Sequence, residues 1–255
     1  MRFNHSSGDY LDIEGTNIYY EVIGNKTSPA LVFLHGGFGN IEDFNPILDG
    51  LDKTFRIVGI DSRGQGKSTL GQQTLNYERI QKDVEQILEH LEIDTFSVIG
   101  FSDGGIVSYR LASLTSLKIK HLVTIGSRWH YKNTIPTKEL FLKITPESWK
   151  TRFPFMYEAY QELNPQPDFD TLTTAIINMW LDSFSSGYPN EDVANIDCPL
   201  LIVRGDEDHL ISLEAVFELI GIVKNTKLLN IPFAGHSAFT DQNAIFMRVL
   251  NEFLK

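Results

Sequence analysis

Cysteine is almost missing from this sequence. Cys198 is the only one in 255 residues, so no intrachain disulfide can form, and its place beside Pro199 at the head of an apolar run marks a buried structural thiol. Basic residues are also scarce. With 22 Lys and Arg against 33 Asp and Glu, the formal net charge of −11 argues against nucleic acid and anionic membrane as partners, since both are bound through clustered cations. No window approaches the length of uninterrupted apolar sequence that a membrane-spanning helix needs. The opening M-R-F-N-H-S-S-G-D-Y lacks the apolar stretch of a secretory signal, and a cytoplasmic location is expected. Repeats and low-complexity segments are absent as well. What remains is ordinary for a globular protein: 42% hydrophobic and 22% charged residues, enough for one substantial core.

Short apolar strands alternate with helical patterns through the first half and again at the end, the signature of an α/β fold with a mostly parallel sheet and helices on both faces. Tyr10 to Ile13 and Ile18 to Ile23 read as an antiparallel hairpin. Ala30 to Leu34, Phe55 to Ile60, Phe96 to Phe101, Ile119 to Ile125, Leu200 to Arg204 and Lys227 to Asn230 read as further strands. Helices are expected near Phe44 to Leu51, over Tyr77 to Leu91 and Gly105 to Leu114, near Leu213 to Val223, and over Ala244 to Leu254. After Gly126 the alternation stops. Arg128 to Asn195 is rich in aromatic residues and prolines, with helix-like pieces at Thr137 to Ile144, Pro146 to Lys150 and Thr171 to Ser183, and it reads as an insertion, not a βα unit.

The chemistry concentrates at Gly100-Phe101-Ser102-Asp103-Gly104, which fits G-x-S-x-G. In that pattern a sharp strand-to-helix turn strains the serine backbone and lifts its hydroxyl clear of the sheet, while the helix N-terminus offers free N–H groups. A serine hydroxyl is a poor nucleophile at neutral pH. It needs a neutral histidine to take its proton and an acid to hold that histidine. His236, in I-P-F-A-G-H-S after the Lys227 to Asn230 strand, is the candidate base. Asp208, in R-G-D-E-D-H just past another strand end, is the candidate acid, and Asp206 competes with it from beside the turn.

Leu34-His35-Gly36-Gly37-Phe38-Gly39 follows the Ala30 to Leu34 strand and leaves backbone N–H groups uncovered. An oxyanion hole needs one donor from such a loop and one from the residue after the nucleophile. Gly37 and Asp103 would supply them, with Phe38 as the neighbouring alternative and His35 bracing the loop. Asp61 to Ser68 ends like a phosphate loop in G-x-G-K-S but has Asp61 where the first glycine is required; its glycines suit a tight loop held by an Asp61–Arg63 pair.

Together, H-G-G-F-G, D-S-R-G-Q-G-K-S, G-F-S-D-G-G, R-G-D-E-D and A-G-H resemble the α/β-hydrolase superfamily over nearly all the chain outside Arg128 to Asn195, and the order Ser102, Asp208, His236 is that of the superfamily. The resemblance implies an eight-stranded, mostly parallel sheet, with residues 1–127 and 196–255 as core and 128–195 as a helical cap inserted after the sixth strand. Serine at position 102 departs from haloalkane dehalogenases and epoxide hydrolases, which carry aspartate there. The block G-F-S-D-G-G-I is similar to that of valacyclovir-type amino acid ester hydrolases, in which the acid after the nucleophile also recognises an amino group; Asp103 matches that position.

The expected activity is hydrolysis of a small carboxylic ester through an acyl-enzyme, with no metal or cofactor. Lactone opening, C–C bond hydrolysis and perhydrolysis on the same scaffold remain alternatives, as does a small-ligand receptor that retains the triad. Phe38, Phe101, Trp129 and Trp180 are the candidate substrate contacts, among aromatic residues that mostly pack the insertion onto the sheet. Self-association as a homodimer is left open.

Overall fold

The β-branched and aromatic runs pair into one sheet of eight strands in a computed structural model, which describes residues 1–51 and 53–255. In chain order they are β1 (Asp9–Ile13), β2 (Thr16–Ile23), β3 (Ala30–Leu34), β4 (Arg56–Ile60), β5 (Thr95–Phe101), β6 (Lys118–Ile125), β7 (Leu200–Gly205) and β8 (Thr226–Ile231). Across the sheet the order is β1-β2-β4-β3-β5-β6-β7-β8. The β1–β2 and β2–β4 pairs are antiparallel and all others parallel. Between β3 and β5 the connections diverge to opposite sides, which opens a crevice beyond the carboxyl ends of these two strands.

Every residue of β3, β4 and β7 is buried, as strands covered on both faces require. Alternation then splits the core in two. Val32, Leu34, Val58, Val98 and Leu122 face one side, against Ile80, Val84 and Ile87 of α2 (Tyr77–His90; α1 is the short Asn45–Leu48) and Ile106 and Leu111 of α3 (Asp103–Leu114). Leu31, Phe33, Ile57, Ile99 and Val123 face the other, against Phe44, Ile47, Phe246 and Leu250. Each such side chain contributes roughly 1.5–3 kcal/mol on burial. The helix α2 begins where Asn76 caps the Arg79 N–H, and α3 begins two residues earlier than its apolar pattern suggests, immediately after Ser102.

Between β6 and β7 lie α4 (Lys138–Leu142), α5 (Pro146–Arg152), α6 (Pro154–Leu163) and α7 (Phe169–Trp180), flanked by two 3₁₀ turns. The helix α6 escapes a reading of the sequence because Pro154 looks like a breaker, whereas at the first helical position its missing N–H costs nothing. The chain closes with α8 (Leu213–Ile222), α9 (Ala238–Asp241) and α10 (Asn243–Phe253). Among the described residues no helix is long and apolar enough to cross a membrane.

The expected Asp61–Arg63 pair does not form. Arg63 instead forks onto Asp83 at 2.9 and 2.6 Å and bonds Thr16 Oγ1. The carboxylate of Asp61 is fully buried; it accepts the N–H groups of Ile41 and Lys67 and lies 2.8 Å from His5 Nε2. The other ring nitrogen of His5 lies 2.7 Å from Glu42. This arrangement ties the amino-terminal segment to the loops that follow β3 and β4.

Candidate active site

Ser102 sits between β5 and α3 with φ 50° and ψ −113°, outside the regions open to L-residues without strain of about 1–3 kcal/mol. Its surroundings impose the turn. The Ser102 N–H donates to the Ile125 carbonyl at 2.8 Å, and the Gly104 N–H to the His35 carbonyl at 3.0 Å. A Cβ on Gly104 would fall 1.9 Å from the Leu34 carbonyl oxygen, and one on Gly100 would fall 2.4 Å from the Gly104 oxygen. The glycines of the motif are therefore there for backbone passing backbone.

His236, on the loop after β8, brings Nε2 to 3.1 Å from Ser102 Oγ, and Nδ1 to 2.9 Å from Asp208 Oδ2. An Nδ1–H donated to the carboxylate leaves the Nε2 lone pair facing the serine hydroxyl. The Asp208 side chain is fully buried, and its other oxygen accepts the Leu210 N–H. Burial pushes its pKa up, but the hydrogen bond and charge of His236, the Leu210 N–H and the Arg204 charge outweigh this and hold it below the ordinary carboxylate value. Asp206 is exposed, and its N–H is spent on the Ile231 carbonyl.

After β3 the Gly39 N–H donates to the Gly36 carbonyl at 3.1 Å, with Phe38 at φ 61°. This tight turn brings Gly36 against Phe101 and Ser102, and Gly37 against Asp103 and Trp180. Among the described residues neither the Gly37 nor the Asp103 N–H has an acceptor. Both nitrogens of His35 are engaged by main chain: Nδ1 donates to the Gly36 carbonyl and Nε2 accepts the Ser62 N–H. His35 thus has no free site for a proton from substrate.

A small cavity of about 40 Å³ is lined by Ser102, Asp103, Arg128, Phe141, Trp180 and His236, among others. Of the four candidate substrate contacts, only Trp180 lines it. Phe38 stacks on Trp149 at 4.0 Å, and Phe101 packs behind the serine on His236 and Phe239. Trp129 is buried, donating Nε1–H to the Ala215 carbonyl at 2.8 Å, and lines a neighbouring cavity of about 460 Å³ instead. Aromatic character marked these residues for a pocket but cannot tell a wall from packing. The Asp103 carboxyl is buried too, accepting from Tyr77 Oη at 2.8 Å and from Trp180 Nε1 at 2.9 Å. Burial raises its pKa against the opposing hydrogen bonds of Trp180 and Tyr77. Arg128 and Phe141 were missed by sequence reasoning; a cation just beyond the end of a parallel strand is the signal that could have found the first.

Residues 29–175 match the family model described as alpha/beta hydrolase fold. The chain belongs to the alpha/beta hydrolase family. Within it, this hydrolase is 24% identical over 274 residues to a bifunctional esterase/perhydrolase of Acinetobacter calcoaceticus, covering 95% of this chain and 97% of the relative. A serine hydrolase of Mus musculus is 26% identical over 259 residues, covering 95% and 84%. The crystal structure of a hydrolase from Pseudomonas aeruginosa superposes on the alpha/beta hydrolase fold seen here with a TM-score of 0.78 at 19% identity, covering 98% of this chain and 99% of the other.

Proposed function

We propose that this alpha/beta hydrolase cleaves small carboxylic esters through an acyl-enzyme. One observation carries the reading: the hydrogen-bonded line from Asp208 through His236 to Ser102, at 2.9 and 3.1 Å. His236 takes the Ser102 proton as Oγ attacks the ester carbonyl, and Asp208 stabilises the imidazolium that forms. The unspent N–H groups of Gly37 and Asp103 hold the oxyanion. The imidazolium then protonates the departing alcohol, and water repeats the attack to release the acid. Residues 128–195 act as a helical cap on the core formed by 1–127 and 196–255, and Trp180 contacts substrate. The relative named as an esterase/perhydrolase supports the ester reading.

The test is multiple turnover on a panel of short esters and lactones, with Ser102→Ala beside the wild type. Hydrolysis by the wild type and a loss of four or more orders of magnitude in kcat in the variant, as on the order of 10⁶ is lost where a serine of this kind is removed, is the expected result. Undiminished turnover in Ser102→Ala refutes the serine. Labelling of Ser102 by a fluorophosphonate without turnover on any substrate identifies a receptor instead.

A further inference from the structure

Arg128 is buried, 7% exposed, yet no carboxylate pairs with it among the described residues. Its Nε donates to the Asn133 carbonyl at 3.2 Å, and Nη2 to Thr137 Oγ1 at 2.8 Å and the Leu210 carbonyl at 3.0 Å. Nη1 has no acceptor among the described residues. The contrast is Arg63, fully buried where Arg128 keeps a little exposure, whose guanidinium is neutralised by the fork onto Asp83. A partly buried guanidinium hydrogen-bonded only to neutral oxygens still has charge to offer an anion; Asp103, which lines the same cavity, feels that charge but makes no ion pair with it. Arg128 also has a place where one could arrive. It forms a wall of the cavity that holds Ser102 and His236, and a wall of a neighbouring cavity of about 460 Å³; Leu210 borders both. Over it lies the Phe141 ring, 5.0 Å from Cζ, which also packs on Trp180 at 4.8 Å.

We propose that Arg128 is a specificity-determining residue that binds a free carboxylate on the substrate, so that the preferred substrates are half-esters of short dicarboxylic acids. This deepens the ester-hydrolase reading and rests on it. With Nε and Nη2 spent, the carboxylate is met by the two N–H groups of Nη1, and Arg128 is already oriented by three hydrogen bonds, so little freedom is lost on binding. The competing recognition group is Asp103, which would select a substrate amine. Its Oδ1 already accepts from both Tyr77 and Trp180 and its Oδ2 from Trp180, whereas the Nη1 donors of Arg128 are unspent. Arg128 therefore has donors to spare for an anion, whereas both oxygens of Asp103 are already engaged.

The experiment compares kcat/KM for the monomethyl esters of succinate, glutarate and adipate with their uncharged amide isosteres and with the methyl ester of aminovalerate. Wild type, Arg128→Gln and Arg128→Lys are compared by the ratio of half-ester to amide, which is insensitive to any general loss of activity. The expected ratio in the wild type is about ten to a hundred, the worth of a hydrogen bond to a charged group; it falls to near one in Arg128→Gln and lies between in Arg128→Lys. As a check that needs no variant, glutarate should inhibit wild-type hydrolysis of the amide esters competitively, and glutaramide should not. A wild-type ratio near one, a ratio that survives Arg128→Gln, or a preference for the aminovalerate ester overturns the assignment while the hydrolase reading stands. If no ester is turned over and a fluorophosphonate leaves Ser102 unlabelled, the hydrolase reading fails and takes this one with it.

Discussion

The carboxylate of Asp208 meets His236 at 2.9 Å, while Asp206, two residues earlier, points to solvent. The difference is made by the turn after β7: the Asp208 N–H closes back on the Gly205 carbonyl at 3.1 Å, and Arg204 clamps the Asp208 carbonyl from below. Asp208→Asn should therefore lower kcat by about 10³–10⁴, since an amide cannot hold the same tautomer of the base. Asp206→Asn should change it less than about threefold, surface substitutions being near neutral. Steady-state kinetics of the two variants side by side decide which acid serves the histidine.

The depressed pKa of Asp208 fixes the form of the acid limb. A group held below its ordinary value stays ionised as pH falls, so the Asp208 carboxylate persists to lower pH than an ordinary one and should add no proton of its own to the acid limb. Log kcat/KM against pH should accordingly fall with a slope of one on the acid side. A slope of two would mean that protonation of Asp208 contributes to the same limb and that its carboxylate is not held down.

Two glycines separate catalysis from folding. An alanine methyl at Gly37 would lie 2.7 Å from Asp103 Oδ2 and 2.9 Å from Trp180 Cζ2, both side-chain atoms and not main chain, so the loop proposed to hold the oxyanion is displaced at less cost to the fold than a main-chain clash. Gly37→Ala should lose about a hundredfold in kcat with little change in Tm. At Gly104 the methyl would meet main chain, 1.9 Å from the Leu34 oxygen. Gly104→Ala should lower Tm by on the order of 10 °C or prevent folding. Thermal melts and rates on the same samples distinguish the two effects.

His5 lies between the carboxylates of Asp61 and Glu42, at 2.8 and 2.7 Å. Burial alone would lower its pKa, but the hydrogen bonds and charges of Asp61 and then Glu42 prevail and raise it above 6.5. With the folded-state pKa above the unfolded one, the His5 contribution is complete below the ordinary histidine pKa and is lost as pH rises through the raised value. His5→Ala should therefore reduce Tm by about 5 °C or more near pH 5.5 and by clearly less near pH 9. Equal losses at both pH values would show that packing, not charge, is what His5 supplies.

The strands were legible because burial on both faces demands unbroken apolar runs, as in A-L-V-F-L at β3 and L-L-I-V-R-G at β7. Ser102 was legible for a related reason: a turn in which backbone passes backbone admits only glycine at fixed offsets, and that leaves a pattern in the sequence. Asp208 and His236 were legible as the polar residues just past strand ends. Tertiary structure alone decided what each aromatic and each charge faces. Trp129, a wall of the neighbouring cavity, and Trp180, a wall of the one that holds Ser102, carry the same side chain, and only the positions of α7 and α8 tell them apart. In the same way Arg63 and Arg128 read alike, but the first forks onto Asp83 from α2 and the second makes no ion pair among the described residues. A local pattern records the constraints the backbone places on its neighbours in sequence. Which groups are paired and which stand open to a ligand is set by segments far apart in the chain.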